Sequence, residues 1–130
     1  MKKIYLLLLF IVTNTIASEE TINLFDLYKE LHANPELSYQ ETETSNKLAV
    51  ILNKMGYEVT KNVGGNGVVA LLRNGEGKTI MLRADMDGLP VEEKTRASYA
   101  SKKKTLNLEG IEVFTMHACG HDVHMSVLIG

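Results

Sequence analysis

The spacing of apolar residues predicts two amphipathic helices near the start of the chain. Over residues 19–31 they recur at three- and four-residue steps, and the predicted helix stops before Pro35. A second helix is predicted over residues 41–55, with Gly56 as its C-cap. Its apolar positions, which fall on one face, are Leu48, Ile51, Leu52 and Met55.

The pattern then changes to one typical of β-strands. The runs "YEVTKNV" (57–63), "VVALLR" (68–73) and "TIMLRADM" (79–86) are rich in β-forming residues. The glycine-rich "GGNG" (64–67) predicts a turn, because it lacks the spacing of a phosphate-binding loop. The segment "NGEGK" (74–78) predicts a hairpin turn between the last two strands.

The remaining chain is polar and lysine-rich after Pro90, with a short apolar piece at residues 111–116. The final residues, 124–130, begin what is predicted to be another buried helix. This order of elements predicts an α/β fold with helices packed on a mixed sheet. Two helices, a few strands and part of a third helix cannot cover a sheet on both faces. We therefore expect residues 19–130 to be the truncated opening part of a larger domain.

The first 18 residues have the pattern of a secretory signal peptide. Two lysines precede the apolar run "IYLLLLFIV" (4–12), and small residues follow at a possible cleavage site. The run is too short for a stable membrane span, although an uncleaved N-terminal anchor is the alternative. We therefore expect an exported protein, periplasmic or secreted, without a stable membrane anchor.

The charge balance argues against a nucleic-acid partner. The chain has 14 basic and 16 acidic residues. Removing residues 1–18 takes away two lysines and no acid, which leaves a formal charge of −4. Bulk charge of this sign does not attract nucleic acid or an anionic membrane.

The stretch "TMHACGHDVH" (115–124) contains the single cysteine and three of the four histidines. In an extended or turn conformation His117, Cys119 and His121 share one side, whereas a helix would separate Cys119 from His121. His121 and His124 are spaced to suit the first turn of a following helix. Thiolate and imidazole favour zinc or a similar ion, with further ligands from elsewhere, whereas a buried core cysteine is the alternative.

A second group of polar residues lies in "LRADMDGLP" (82–90). Asp85 and Asp87 are two residues apart at the end of an apolar run, where ligand sites of α/β proteins collect. Either carboxylate could bind a metal or hold a ligating histidine, and a polar turn is the alternative. Glu92 and Glu93 form an acidic pair that we expect to be exposed.

Taken together, these segments resemble the N-acyl-amino-acid amidohydrolases, a zinc-metallopeptidase-related family that includes hippurate, aminobenzoyl-glutamate and indoleacetyl-amino-acid hydrolases. The resemblance covers nearly all of residues 31–130. It is carried by "LHANPELSYQE", "GGNGVVALL", "TIMLRADMDGLPVEE" and "MHACGHDVHMSVLIG". "RADMDGLP" followed by "MHACGHD" is much more specific than either motif alone.

The resemblance implies part of an aminopeptidase-like catalytic domain, with the lid or dimerisation domain absent, and full-length relatives that are homo-oligomers. It implies two divalent metals (Zn, Mn or Co), with Cys119 and His121 as ligands and Asp87 in an orienting role. The remaining candidates for a supporting shell are Asp85, His117, Asp122 and His124.

The activity that the resemblance implies is hydrolysis of the amide bond of an N-acyl or N-aroyl amino acid, or of a short peptide, by a metal-activated water. In that family a glutamate from an acidic pair serves as the base. The pair lies beyond the stretch of residues 115–124, called here the cysteine motif, and this sequence contains no such pair. We therefore expect little turnover from the chain itself. The alternatives are a non-catalytic remnant that binds metal weakly and a redox protein using Cys119, against which the lack of a second cysteine counts.

Overall fold

The computed structural model describes residues 22–130, so the predicted signal peptide lies outside the described residues. Within this range no helix is both long and apolar enough to cross a membrane. The elements, in chain order, are α1 (Leu24–Ala33), α2 (Thr42–Lys54), β1 (Glu58–Val63), β2 (Gly67–Leu71), β3 (Lys104–Leu106), β4 (Glu112–Phe114) and α3 (His121–Ile129).

Helix α1 begins where a side chain satisfies its free backbone donors. The side-chain oxygen of Asn23 accepts hydrogen bonds from the backbone N–H groups of Phe25 and Asp26, at 3.1 and 3.2 Å. The helix ends at Ala33, shortly before Pro35, as the sequence predicts.

Helix α2 receives its N-terminal partner from outside the helix. The buried carboxylate of Glu36 accepts hydrogen bonds from the backbone N–H groups of Glu43 and Thr44, at 3.2 and 2.8 Å. A negative charge at this end of a helix is also favoured by the helix dipole. The observed bounds agree with the predicted helix over residues 41–55 to within one residue at each end.

The core lies where the three helices meet. Its buried apolar side chains come from all three helices and are Leu27, Leu31, Leu48, Met125 and Ile129. Ala84 and Met86, from the extended segment before the "DGLP" turn, pack against this cluster. The residues that alternate with them, Asp85 and Asp87, are therefore directed away from the core, as the two-residue alternation predicts.

Strands β1 and β2 form an antiparallel hairpin that pairs Glu58 with Leu71 and Thr60 with Val69. Residues 64–66 form the connecting turn, which confirms the turn predicted for "GGNG". The hairpin contacts α2. Helices and sheets therefore pack together, in agreement with the predicted α/β class.

The strand predicted over residues 79–86 is not formed, and neither is the predicted hairpin through residues 74–78. Ile80, Met81 and Leu82 are 84, 83 and 75% exposed. Hydrophobic pattern alone does not make a strand, because the backbone also needs a neighbouring strand for its hydrogen bonds. In the described residues β2 pairs with β1, and residues 79–86 have no strand beside them.

A second hairpin lies in the polar, lysine-rich region, where the sequence pattern did not predict strands. Strands β3 and β4 pair antiparallel, with Lys104 opposite Phe114. The side-chain oxygen of Asn107 accepts hydrogen bonds from the backbone N–H groups of Glu109 and Ile111, at 3.0 and 2.9 Å, and so stabilises the turn. The described strands thus form two separate antiparallel pairs rather than one mixed sheet.

Candidate metal centre

The cysteine motif forms a turn that leads directly into a helix. After β4, the backbone N–H of Gly120 donates to the carbonyl of His117 at 3.2 Å. Gly120 has φ of 74° and ψ of 24°, a left-handed conformation that glycine adopts at low cost. Helix α3 starts at the next residue, His121. The turn followed by a helix, which the ligand spacing required, is therefore confirmed.

His121 is held in one orientation by the segment that contains Asp87. Its Nδ1 lies 2.8 Å from the backbone carbonyl oxygen of Asp87 and 3.0 Å from the Oδ1 of the same residue. Both oxygens only accept hydrogen bonds, so Nδ1 carries the proton. In the neutral imidazole this leaves the lone pair on Nε2. Metal-binding histidines have the same arrangement, in which one nitrogen donates to protein and the other binds the ion.

Asp87 is itself fixed by tight backbone packing at Gly88. The Gly88 N–H donates to the carbonyl of Glu36 at 2.6 Å, and the backbones of Leu89 and Met116 exchange two hydrogen bonds at 2.8 and 3.0 Å. A Cβ on Gly88 would lie 2.9 Å from the Cβ of Pro35. Glycine is thus needed for this close approach, which joins the "DGLP" segment to the start of the cysteine motif.

Cys119 lies at the turn, and its side chain is exposed. It is therefore not a core residue, which was the alternative to metal binding. A thiol on a turn immediately before an oriented imidazole provides two donors of the kind that zinc prefers.

His117 is buried, with 4% of its surface exposed, and within residues 22–130 neither ring nitrogen makes a hydrogen bond of normal geometry, although the Asp87 backbone lies near enough to act on its pKa. Burial lowers its pKa below 6.5, more strongly than the nearby Asp122 carboxylate raises it, so the ring is neutral. Leaving buried polar atoms unpaired is costly. Such atoms beside Cys119 and His121 are what we expect where a bound group completes the site.

The other candidates for a supporting shell lie in different surroundings. His124 is exposed on α3, and its ring centroid is 5.9 Å from that of His121, as their spacing predicts. Asp85 is partly exposed and forms an ion pair with Arg83 at 2.5 Å. Asp122 is 1% exposed, and its carboxylate binds His32 rather than a residue of the cysteine motif.

The expectation of an exposed acidic pair is correct for Glu92 and wrong for Glu93. The Glu93 side chain is fully buried, with Oε1 at 3.0 Å from the Nε2 of His32. Glu93 can be buried because its charge is compensated by His32, which lies 61 residues away in the sequence. Sequence reasoning did not single out His32. The feature that could have identified His32 is its position next to Leu31, because a titratable residue on the buried face of an amphipathic helix needs a partner.

The residues present fit part of a metal site. Within residues 22–130, no three His, Cys, Asp or Glu side chains are grouped closely enough to hold an ion. Cys119 and His121 would therefore supply two donors, and a tetrahedral site needs four. The oriented ring of His121 and the unpaired nitrogens of His117 are the observations that fit a metal.

An exposed thiol and an oriented imidazole lie at the turn that leads into α3, and both are donors of the kind that a zinc site uses. Comparisons with known proteins identify relatives that are hydrolases. The chain is 45% identical over 109 residues to thermostable carboxypeptidase 2 of Saccharolobus solfataricus, a match that covers 82% of this chain and 25% of that protein. It is 44% identical over 101 residues to the hippurate hydrolase of Campylobacter jejuni, covering 77% of this chain and 24% of that protein.

A solved structure gives the same result. The Bacillus subtilis YXEP protein, described as a dinuclear metal-binding peptidase of the M20 family, matches with a TM-score of 0.69 and 37% identity, over 82% of this chain and 28% of that one. A scan against models of protein families gives no match. Over most of its length the chain is similar to peptidases and amidohydrolases of the M20 family, and it spans about a quarter of the length of the curated relatives it matches.

Proposed function

We propose that residues 19–130 form part of the catalytic domain of a metal-dependent amidohydrolase, with Cys119 and His121 as two of its metal ligands. The observation that carries the proposal is the hydrogen bond between the Nδ1 of His121 and the carbonyl of Asp87, at 2.8 Å. It leaves Nε2 available as a donor, two residues along the chain from the exposed thiol of Cys119. The M20 relatives support the same reading.

The protein residues have separate roles in this proposal. A divalent ion such as zinc, manganese or cobalt, when bound, polarises the scissile carbonyl and lowers the pKa of water. Cys119 contributes a thiolate and His121 a neutral imidazole. Asp87 holds the proton on the Nδ1 of His121 and so fixes both the tautomer and the ring direction. The low pKa of His117 keeps a second neutral imidazole beside these donors.

The proposed substrates are N-acyl or N-aroyl amino acids and short peptides. Relatives named hippurate hydrolase and thermostable carboxypeptidase support amide substrates of this size. A cleft of about 250 Å³ beside Asp87, lined by Leu37, Gln40, Asn107 and Leu108 among others, leaves the carboxylate side of the site open to a small molecule. The proposed location is outside the cytoplasm, on the pattern of residues 1–18.

Metal binding through the two donors is tested with cobalt, which gives thiolate ligands a charge-transfer absorption band. We expect the chain to bind Co²⁺ with this band. The variant Cys119→Ser should lose the band, and His121→Asn should weaken binding at least about tenfold. Ala118→Ser, at the neighbouring exposed position, is the control and should behave as the unmodified chain. Retention of Co²⁺ affinity in both ligand variants would refute the proposal.

Catalysis by this chain is expected to be negligible. Residues 22–130 provide no group of three or more ligands, whereas a catalytic zinc site uses three protein ligands. Hippurate and N-acetyl amino acids, assayed with added zinc, manganese or cobalt, test this expectation. Robust turnover that is lost in Cys119→Ser would show that the chain is a complete catalyst.

The alternative is a non-catalytic remnant that binds metal weakly. It is favoured by the lack of a three-ligand group within residues 22–130. The affinity measured for Co²⁺ separates the two, because a ligand pair prepared for a full site should still bind better than a single free thiol. Reaction of the Cys119 thiol with a chromogenic reagent tests the redox alternative, since a redox thiol stays reactive in the presence of zinc.

A further inference from the structure

Three buried ionisable side chains form a network beside the candidate metal centre. The Nδ1 of His32 lies 2.6 Å from the Oδ2 of Asp122, and its Nε2 lies 3.0 Å from the Oε1 of Glu93. The exposed fractions of the side chains are 9% for His32, 2% for Asp122 and 0% for Glu93. The network joins α1, the segment after Pro90 and the first turn of α3.

The network is held by charge attraction and by hydrogen bonds. A histidine that donates from both ring nitrogens is an imidazolium, so one positive charge lies between two carboxylates. The second oxygen of Glu93 accepts the backbone N–H of Ser101 at 2.5 Å. The rings of Tyr28 and Tyr99 lie 5.5 and 5.3 Å from the His32 ring and cover it. Removing His32 would leave two buried carboxylates without a compensating charge, which is strongly unfavourable, and removing Glu93 would leave one ring nitrogen of His32 without its partner.

Asp122 connects this network to the proposed ligand His121, which precedes it in the first turn of α3. The Oδ1 of Asp122 accepts the backbone N–H of Val123 at 2.9 Å, and its carbonyl accepts the hydroxyl of Ser126 at 2.7 Å. The carboxylate of Asp122 therefore fixes both the start of the helix and its contact with α1. The direction of the His121 ring depends on the same turn.

We propose that Glu93 and His32 are positioning residues for the candidate metal centre: they hold Asp122, and through it the first turn of α3, so that His121 meets the carbonyl of Asp87. The inference deepens the proposed function and rests on His121 being a ligand. Glu93 thereby gains a role in place of the surface position that its sequence context indicates. Neither residue touches the proposed metal, and both act through Asp122.

The positioning role is tested first without metal, by the tautomer of His121. In the unmodified chain, nitrogen-15 NMR of the imidazole should show His121 predominantly protonated on Nδ1. In Glu93→Gln and in His32→Gln, we expect His121 to shift toward the mixture of tautomers found in a free imidazole. Glu92→Gln, the exposed neighbour of Glu93, is the matched control and should leave the spectrum unchanged. An unaltered His121 tautomer in both test variants would overturn the proposal.

The second measurement is Co²⁺ affinity. Loss of a supporting hydrogen bond typically weakens metal binding about 10- to 100-fold, and we expect at least the lower value for Glu93→Gln. The thiolate band should persist, because Cys119 is not part of the network. Affinity equal to that of Glu92→Gln, with an unaltered tautomer, would show that the network serves folding alone.

The two proposals can fail separately. If Cys119→Ser and His121→Asn leave Co²⁺ binding unchanged, the ligand assignment fails, but the metal-free tautomer still decides whether Glu93 and His32 orient His121. Far-UV circular dichroism identifies a variant that does not fold. Glu93→Gln preserves side-chain volume, and so provides the test if His32→Gln loses its helical signal.

Discussion

His32 has a carboxylate at each ring nitrogen, so its protonation is coupled to the stability of the fold. Burial acts against the charged form, but the hydrogen bonds to Glu93 and Asp122 outweigh burial and raise the pKa of His32 above 6.5. The charged ring therefore stabilises the folded state fully below pH 6.5, and this contribution is lost as the pH rises through the raised pKa.

Glu93 sets the acidic limit of the same interaction. Burial would raise its pKa, but hydrogen bonds from Thr95, His32 and Ser101 together lower it below 4.5. Its contribution is present above pH 4.5 and is lost as the pH falls through the lowered pKa. The network should therefore stabilise the fold most between about pH 4.5 and 6.5.

This dependence is measured as a difference between two proteins. We expect the free energy of unfolding of the unmodified chain, minus that of His32→Gln, to be largest between about pH 4.5 and 6.5 and to decrease on both sides. The difference largely cancels the contribution of His117, which faces Asp122 and whose lowered pKa destabilises the fold below pH 6.5. Denaturant titrations with a chelator present provide the values. A difference that does not vary with pH would contradict the prediction.

At the scale of elements, the N-terminus of α2 depends on a residue that precedes the helix. The carboxylate of Glu36 accepts two backbone N–H groups of the first turn, and its own backbone carbonyl accepts the N–H of Gly88. The same residue thus connects α2 to the segment that holds Asp87. The fold and the candidate site share this support.

The variant Glu36→Ala is expected to lower the free energy of unfolding by about 1–2 kcal/mol, because two backbone donors lose their partner and a helix terminus loses a favourable charge. Glu36→Gln, which keeps an acceptor oxygen, should cost less. Glu76→Ala, in an exposed loop, is the control and should be nearly neutral. Urea titrations measure all three. Equal stability of Glu36→Ala and Glu76→Ala would contradict this account of the cap.

The helices and the turn at the cysteine motif could be predicted because their signals are local. Apolar spacing, Pro35 and Gly120 act within a few residues. The strand expected over residues 79–86 failed because a strand also requires a neighbour, which local pattern does not provide. The β3–β4 hairpin was missed because each strand has only three residues, and its turn is stabilised by the Asn107 side chain rather than by apolar pattern.

The roles within the candidate site were predicted from the family resemblance, whereas chemistry and spacing alone left a core cysteine and a polar turn as alternatives. Cys119, His121 and Asp87 were identified as a ligand pair and an orienting residue, and the structure places Asp87 beside His121. The network of His32 and Glu93 was not foreseen, because its members are 61 residues apart in the sequence. Long-range pairs of this kind become visible only when the chain is folded.

At the scale of the whole molecule, the most exposed apolar surface is the extended segment at residues 80–82. Ile80, Met81 and Leu82 are each at least 75% exposed, and in the described residues no strand pairs with this segment. An extended, apolar segment with free backbone hydrogen-bonding groups is a site for pairing between chains. We therefore expect the chain to self-associate as its concentration is raised.

Self-association is tested with lysine at two of these positions. The double variant Ile80→Lys/Leu82→Lys places charge on alternate residues of the segment, which opposes strand pairing without touching the helical core. Sedimentation velocity should show the unmodified chain forming larger species with increasing concentration and the double variant remaining smaller. Lys78→Thr/Thr79→Lys, which exchanges two neighbouring residues and so keeps the net charge and all three exposed apolar residues, should associate like the unmodified chain. If the double variant associates as strongly as this control, another surface, such as the apolar residues Phe25 and Val127 on the exposed sides of α1 and α3, drives assembly.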